Sequence, residues 1–345
     1  MSPPGTRGQA DASLCARHPT SGEVRTRLYR GGVLQSEGFP ATEIRDHLRQ
    51  EGTTVWLDLH DPGATDLEMI TDELGLHALA VEDAVLRHER PKLDRYPDHL
   101  FLCAYSVHLD TSTAELVSSE IAAFITPQAL VTVRKDDGFD VDALVERWDD
   151  NPDLSIHGVG YLLHGLLDVV VDGHFVAVQS LDDQIEQLQD QLFAEDGAGV
   201  EVQRRSFQLR KSLVLLRRVV LPMREVVNTV MRRDTHLVEG EMAHYFQDVY
   251  DHVLRATEWT ESLRDLVTTV LETRLSIQGN RLNEIMKKLT GWAAIIAIPT
   301  AITGFYGQNI PFPGYGQRWG VVASALLIAV IVGGLFAAFR RRGWL

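Results

Sequence analysis

Two stretches near the C-terminal end of this 345-residue chain carry no charge: Leu289–Tyr306, 18 residues, and Gly320–Phe339, 20 residues. Each is long enough to cross a hydrocarbon layer of about 30 Å as a helix. Trp292, Tyr306, Trp319 and Phe339 stand at or near their ends, where interfacial aromatic belts sit. Residues 291–345 contain no Asp or Glu and only Arg318, Arg340, Arg341 and Arg342. That is a segment of +4 on a chain of −15, which leaves −19 on residues 1–290. An acidic body joined to an apolar tail excludes a plain cytosolic enzyme, and it excludes a nucleic-acid binder, whose footprint is a basic face. Two cysteines, Cys15 and Cys103, make no disulfide framework.

Lys287 and Lys288 precede the first span, and Arg340, Arg341 and Arg342 follow the second. The intervening loop, 307–319, holds only Arg318. The positive-inside bias therefore predicts a multi-pass protein of the cell membrane with both termini cytoplasmic. Residues 1–20, rich in Pro, Gly, Ser and Ala, read as a disordered leader rather than a signal peptide.

Upstream, 21–155 reads as a mixed α/β cytoplasmic domain. VRTRLYR (24–30), TVWLDLH (54–60), HLFLCAYSV (99–107), EIAAFIT (120–126) and ALVTVRK (129–135) are β-branched or aromatic runs bounded by Gly, Pro or Asp. TEIRDHLRQ (42–50) and TDLEMITDELGL (65–76) have helical spacing. Residues 156–240 read as an antiparallel helical hairpin with a turn at Gly197 and Gly199, and Pro222 is predicted to kink its second arm. Residues 241–306 form a stalk helix continuing into the first span; 307–319 is an external loop, 320–339 the second span and 340–345 a basic cytoplasmic tail. The fold class is thus an α/β N-terminal domain, long helices, and two C-terminal transmembrane helices.

Steps of three and four along the stalk pick out Glu272, Ser276, Gly279, Asn283, Met286, Thr290, Ala293, Ala297, Thr300 and Gly304. All are small, polar or Met, at the 3.5-residue period of helices wound about a common axis. Two readings stand. Small residues let helix backbones approach closely in lipid. Alternatively, hydroxyls, an amide and carbonyls line a pore, as hard oxygen donors for a hydrated divalent cation. Two spans do not enclose water alone, so a pore needs several copies around an axis. Asp251, Glu258, Asp265 and Glu272 fall seven apart, and in a ring of subunits each becomes a ring of negative charge.

The first span ends in Tyr306-Gly307-Gln308-Asn309. With Asn283–Thr290 upstream, Pro299 within the span, Trp56-Leu57-Asp58-Leu59, Glu82-Asp83, Arg90-Pro91-Lys92, Asp248-Val249-Tyr250-Asp251-His252 and the basic end before Trp344-Leu345, this ordering resembles the CorA-type divalent metal ion transporters. The resemblance implies a funnel-shaped homopentamer that moves Mg2+, or Co2+ and Ni2+, with no tightly bound cofactor. It implies that Gly307, Gln308 and Asn309 form the outer selectivity ring, that Asn283 and Thr300 are polar pore positions, and that Met286 and Leu289 form an apolar gate. It also implies that Asp83 and Asp248 hold regulatory divalent ions between neighbouring cytoplasmic domains. Gln308 stands where the common signature has Met, and the loop Ile310–Gly316 has no carboxylate, so a zinc-transporting branch of the superfamily is the alternative.

A membrane-tethered enzyme is not expected: there is no Walker loop, no Gly-x-Ser-x-Gly and no Cys-x-x-Cys. His47, Asp58 and His60 can be combined into a site, but nothing in the sequence forces it. A sensor or scaffold anchored by a helical hairpin leaves the polar stripe through the first span unexplained.

Overall fold

The computed structural model describes residues 24–86, 90–192, 199–232, 237–238, 240–308, 311 and 313–344. The residues read as a leader therefore lie outside the described ones. The chain divides into two compact units, one ending at Val267 and the other beginning at Thr268.

The first unit is built on a seven-stranded sheet of order β2-β1-β3-β7-β6-β5-β4. The strands are β1 (Val24–Arg30), β2 (Val33–Glu37), β3 (Thr53–His60), β4 (Lys92–Arg95), β5 (Leu100–Asp110), β6 (Glu115–Ile125) and β7 (Ala129–Arg134). Only β3 and β7 run parallel; the other neighbours are antiparallel. All five predicted strands are present. The two that sequence reading missed are the two edges: β2 is exposed along its whole length, and β4 is four residues reading Lys-Leu-Asp-Arg. Short, charged edges resist pairing with other chains, and for the same reason they lack the apolar alternation that marks a strand.

The helices are α1 (Ile44–Leu48), α2 (Ala64–Leu74), α3 (Ala78–Val85), α4 (Val141–Asp149), α5 (Val159–Leu192), α6 (Gly199–Val230), α7 (Met242–Tyr306) and α8 (Arg318–Arg341). The predicted 42–50 helix is a 3-10 turn, Ala41–Glu43, followed by the single short turn of α1. Asp66 accepts from the Gly63 N–H to start α2, and Gly75, at φ 68°, ends it. Asp140 caps α4, accepting from Ala143 N. The helix assignment of α6 continues through Pro222 without a break.

Sheet and long helices share one core. Leu102, Ile121 and Leu130 from the sheet pack with Leu163 and Val170 of α5, Met223 and Val227 of α6, and Phe246 and Val249 of α7. Trp148 joins α4 to this core, edge-on to Trp56 and donating its indole N–H to Leu162 O at 3.3 Å. A Cβ at position 165 would lie 2.3 Å from that indole nitrogen, so the close approach of α5 needs Gly165. Ser212 of α6 donates to Ala114 O and accepts from Leu116 N, tying α6 to the β5–β6 turn.

His174 on α5 is fully buried. Its Nε2 lies 2.8 Å from Tyr105 O and acts as donor, leaving Nδ1 without a partner. Burial pushes its pKa down to about 4. Because the folded value lies below the free value of about 6.5, this histidine's contribution is complete above pH 6.5 and is lost as the pH falls toward 4. The full chain is expected to lose stability across that window by about 3 kcal/mol more than His174→Gln does. Thermal melting of both proteins at stepped pH is the check.

Candidate functional site

The second unit holds the end of α7, beyond Val267, and α8. Three helices of the described residues are long and apolar enough to cross a membrane. In α5 the apolar window is 61% buried within the protein, so its hydrophobicity is already used in the core. The corresponding windows of α7 and α8 are 6% and 0% buried. Among the described residues little covers these windows, so by length, composition and exposure both helices could cross a membrane.

Each pore-lining position predicted from the sequence lies on α7. Glu272, Asn283, Met286, Leu289, Thr290, Ala297, Thr300 and Gly304 are all exposed, and Arg281 to Thr290 are exposed around the whole helix. A Cβ added at Gly279 or Gly304 would meet nothing within 4 Å. Among the described residues, packing within one copy of the chain therefore requires glycine at neither position.

Pro299 lies inside α7 and supplies no N–H. Two hydroxyls nearby also bond the helix backbone. Thr300 Oγ1 donates to Ile296 O at 3.0 Å, and Thr303 Oγ1 lies 2.9 Å from Pro299 O and 3.1 Å from Thr300 O. Donation to the backbone fixes the Thr300 hydroxyl hydrogen and leaves the oxygen as an acceptor. The helix closes with Gly307 N donating to Thr303 O at 2.9 Å and Gln308 N to Phe305 O at 3.3 Å. Gly307 and Gln308 are exposed. Asn309, the third member of the predicted selectivity ring, lies outside the described residues. At the far end of α8, Trp344 stacks on Phe339 at 5.3 Å and donates its backbone N–H to Phe339 O, directly beside Arg340, Arg341 and Arg342.

The two predicted regulatory carboxylates belong to the first unit and occupy different surroundings. Asp83, on α3, accepts from Lys92 Nζ at 2.6 Å. Just beyond α3, Lys135 Nζ donates to Leu86 O at 2.7 Å and to Glu120 Oε1 at 3.1 Å, fastening the end of that helix to the sheet. Asp248, on α7, has a side chain 69% exposed, with His252 Nε2 at 3.9 Å.

Sequence reading missed what surrounds Asp248. His252 Nδ1 is 3.7 Å from Asp172 Oδ1, and Arg147 bridges Asp172 and Asp168 on α5. Burial pushes the His164 pKa down and that of Asp168 up, since each charged form loses water. The available signal was spacing: His164, Asp168 and Asp172 recur every four residues, as do Asp248 and His252. Among the described residues no group of three or more His, Cys, Asp or Glu is arranged to hold a metal within one chain.

The combination of His47, Asp58 and His60 is not assembled into a catalytic group. The Asp58 carboxylate is taken by Arg134 and Thr132, His60 faces Asp137 at 3.2 Å, and His47 packs edge-on to Phe39. Burial pushes the Cys103 thiol up to about 12, which keeps it un-ionised.

A family profile described as CorA-like Mg2+ transporter protein matches residues 51–341. The chain belongs to the CorA-like Mg2+ transporter family. The Cobalt/magnesium transport protein CorA of Thermotoga maritima is 30% identical over 312 residues, covering 89% of this chain and 88% of that protein. The complete structure of the CorA magnesium transporter from Methanocaldococcus jannaschii superposes with a TM-score of 0.75 at 22% identity, over 93% of this chain and 98% of that one. The Zinc transport protein ZntB of Pectobacterium carotovorum is more distant, 20% identical over 259 residues, 74% of this chain and 77% of its own. The CorA reading is therefore the better one: the protein is a divalent cation transporter of the CorA family, a family of transporters and not of enzymes.

Proposed function

We propose that this CorA-family protein conducts hydrated Mg2+, and with it Co2+ and Ni2+, through a water-filled path formed by α7 helices of several copies, five in the family's architecture. The observation that carries the reading is the stripe from Glu272 to Gly304, whose members are nearly all exposed within the described part of a single chain. Helices of like sequence meeting at that stripe turn Asn283, Thr290 and Thr300 toward one axis, with Ala297 and Gly304 widening the path. Met286 and Leu289 form the apolar constriction, which closes by expelling water. Gly307, Gln308 and Asn309 make the outer ring, where amide and carbonyl oxygens hold the ion through its water shell. This suits Mg2+, which dehydrates reluctantly.

Both termini are cytoplasmic in this reading, with α7 and α8 as the two spans and the acidic body inside. Inward movement of a divalent ion under a negative-inside potential gains about 4.6 kcal/mol per 100 mV. Asp83 and Asp248 hold internal divalent ions at contacts between neighbouring copies. Their hard carboxylate oxygens fit such an ion, and when they empty, like charges repel and the ring loosens.

The deciding experiment is uptake into proteoliposomes of Mg2+, Co2+, Ni2+ and Zn2+ in turn, with and without a proton gradient. Mg2+ entry that follows membrane potential alone is the expected result. Entry of Zn2+ only, or entry that requires a pH gradient, overturns it. In the same assay Asp248→Ala is expected to need several-fold more internal Mg2+ for inhibition, and an unshifted inhibition curve removes Asp248 from the regulatory set.

A further inference from the structure

Lys92 opens β4, the edge strand, and its ammonium is held from three directions. It donates to Asp83 Oδ2 at 2.6 Å, lies 2.7 Å from Asp94 Oδ2, and sits 5.4 Å from the centre of the Phe101 ring. The Asp83 and Lys92 side chains are 29% and 31% exposed, so the pair is neither dry nor fully screened. Burial works against the charged ammonium, and the two carboxylates outweigh it, so the Lys92 pKa is raised. The lysine is charged at every physiological pH.

We infer that Lys92 is a built-in competitor for the divalent ion at Asp83, seated on the carboxylate when internal metal is low and displaced when the ion binds. The inference rests on the reading of Asp83 as a regulatory ligand. An Mg2+ ion bonded to a carboxylate oxygen sits 2.0–2.1 Å from it. An ammonium already 2.6 Å from the same oxygen would then face a doubly charged neighbour across a few ångströms, and the two repel. Displacement does not strand the lysine, because Asp94 and the face of Phe101 remain as its second seat. The exchange therefore costs one partly exposed ion pair, and that cost sets the metal concentration at which Asp83 responds.

The test uses the full-length protein in detergent, with the thermal midpoint followed as Mg2+ is titrated, since a ligand bound to the folded state raises it. Lys92→Met is expected to reach half its maximal shift at about five-fold lower Mg2+ than the wild type. Lys92→Arg keeps the charge and is expected to follow the wild type. If Lys92→Met folds poorly in chelator, Lys92→Gln carries the same expectation. Arg95→Gln, at the other end of β4, controls for general surface charge. An equal shift in Arg95→Gln, or no shift in the Lys92 variants while Asp83→Asn weakens the response, overturns the inference and leaves Asp83 as a ligand. A wild-type response in Asp83→Asn removes the ligand reading itself, and the competitor with it.

Discussion

Proteoliposomes carrying Asn309→Ala are expected to take up Mg2+ about 100-fold more slowly than wild type, although the variant assembles normally. Gly307-Gln308-Asn309 follows α7 in the sequence, and in the proposed path an arriving ion is still fully hydrated there. A side-chain amide there accepts hydrogen bonds from water polarised by the ion, and bonds of this charge-assisted kind contribute about 1.5–3 kcal/mol each. Alanine removes the acceptor in every copy at once, while the Gly307 and Gln308 backbone bonds that finish the helix remain. Fluorescent or isotopic metal uptake reads the loss, and size-exclusion chromatography reads assembly. Uptake within two-fold of wild type would remove Asn309 from the conduction path.

The largest stability effect belongs to the buried pair on adjacent parallel strands. Asp58 is 1% exposed and Arg134 6%. Arg134 donates through Nε at 3.1 Å to both carboxylate oxygens and through Nη2 at 2.7 Å to Oδ2, and Thr132 adds a fourth bond at 2.6 Å. Replacing Arg134 with Ala leaves an uncompensated carboxylate in a dry place, and the expected cost is about 3–5 kcal/mol. Replacing both members with apolar residues of similar volume is expected to recover more than half of that, because the penalty comes from the stranded charge and not from the missing bond. Thermal melting of the single and double variants decides it, and a loss below about 1 kcal/mol in Arg134→Ala would show that water reaches Asp58.

The parts of this molecule legible in the sequence are those whose physics is periodic or bulk. Charge-free runs of 18 and 20 residues announce two long, exposed apolar helices, and five apolar strand runs announce the sheet interior. The stripe along α7 is visible for the same reason, as a break in an otherwise aliphatic pattern. Edge strands β2 and β4 have no such pattern, since water replaces the missing neighbour. Helix α3 has half its length exposed and a weak apolar stripe, so nothing in the sequence singled it out. Ion pairs were out of reach for a different reason. Arg147 meets Asp172 across 25 positions, and nothing in either segment names the other. The same holds for Lys135 and Leu86, 49 positions apart.

That last contact has a mechanical meaning. Helix α3 is held at Asp83 by Lys92 of β4, and Lys135, the residue after β7, holds the Leu86 carbonyl just beyond the helix end. A force applied at Asp83 is therefore not absorbed by a slack surface loop. It is handed through Lys92 to β4, so that a small push on one acidic oxygen reaches an edge of the hydrogen-bonded sheet.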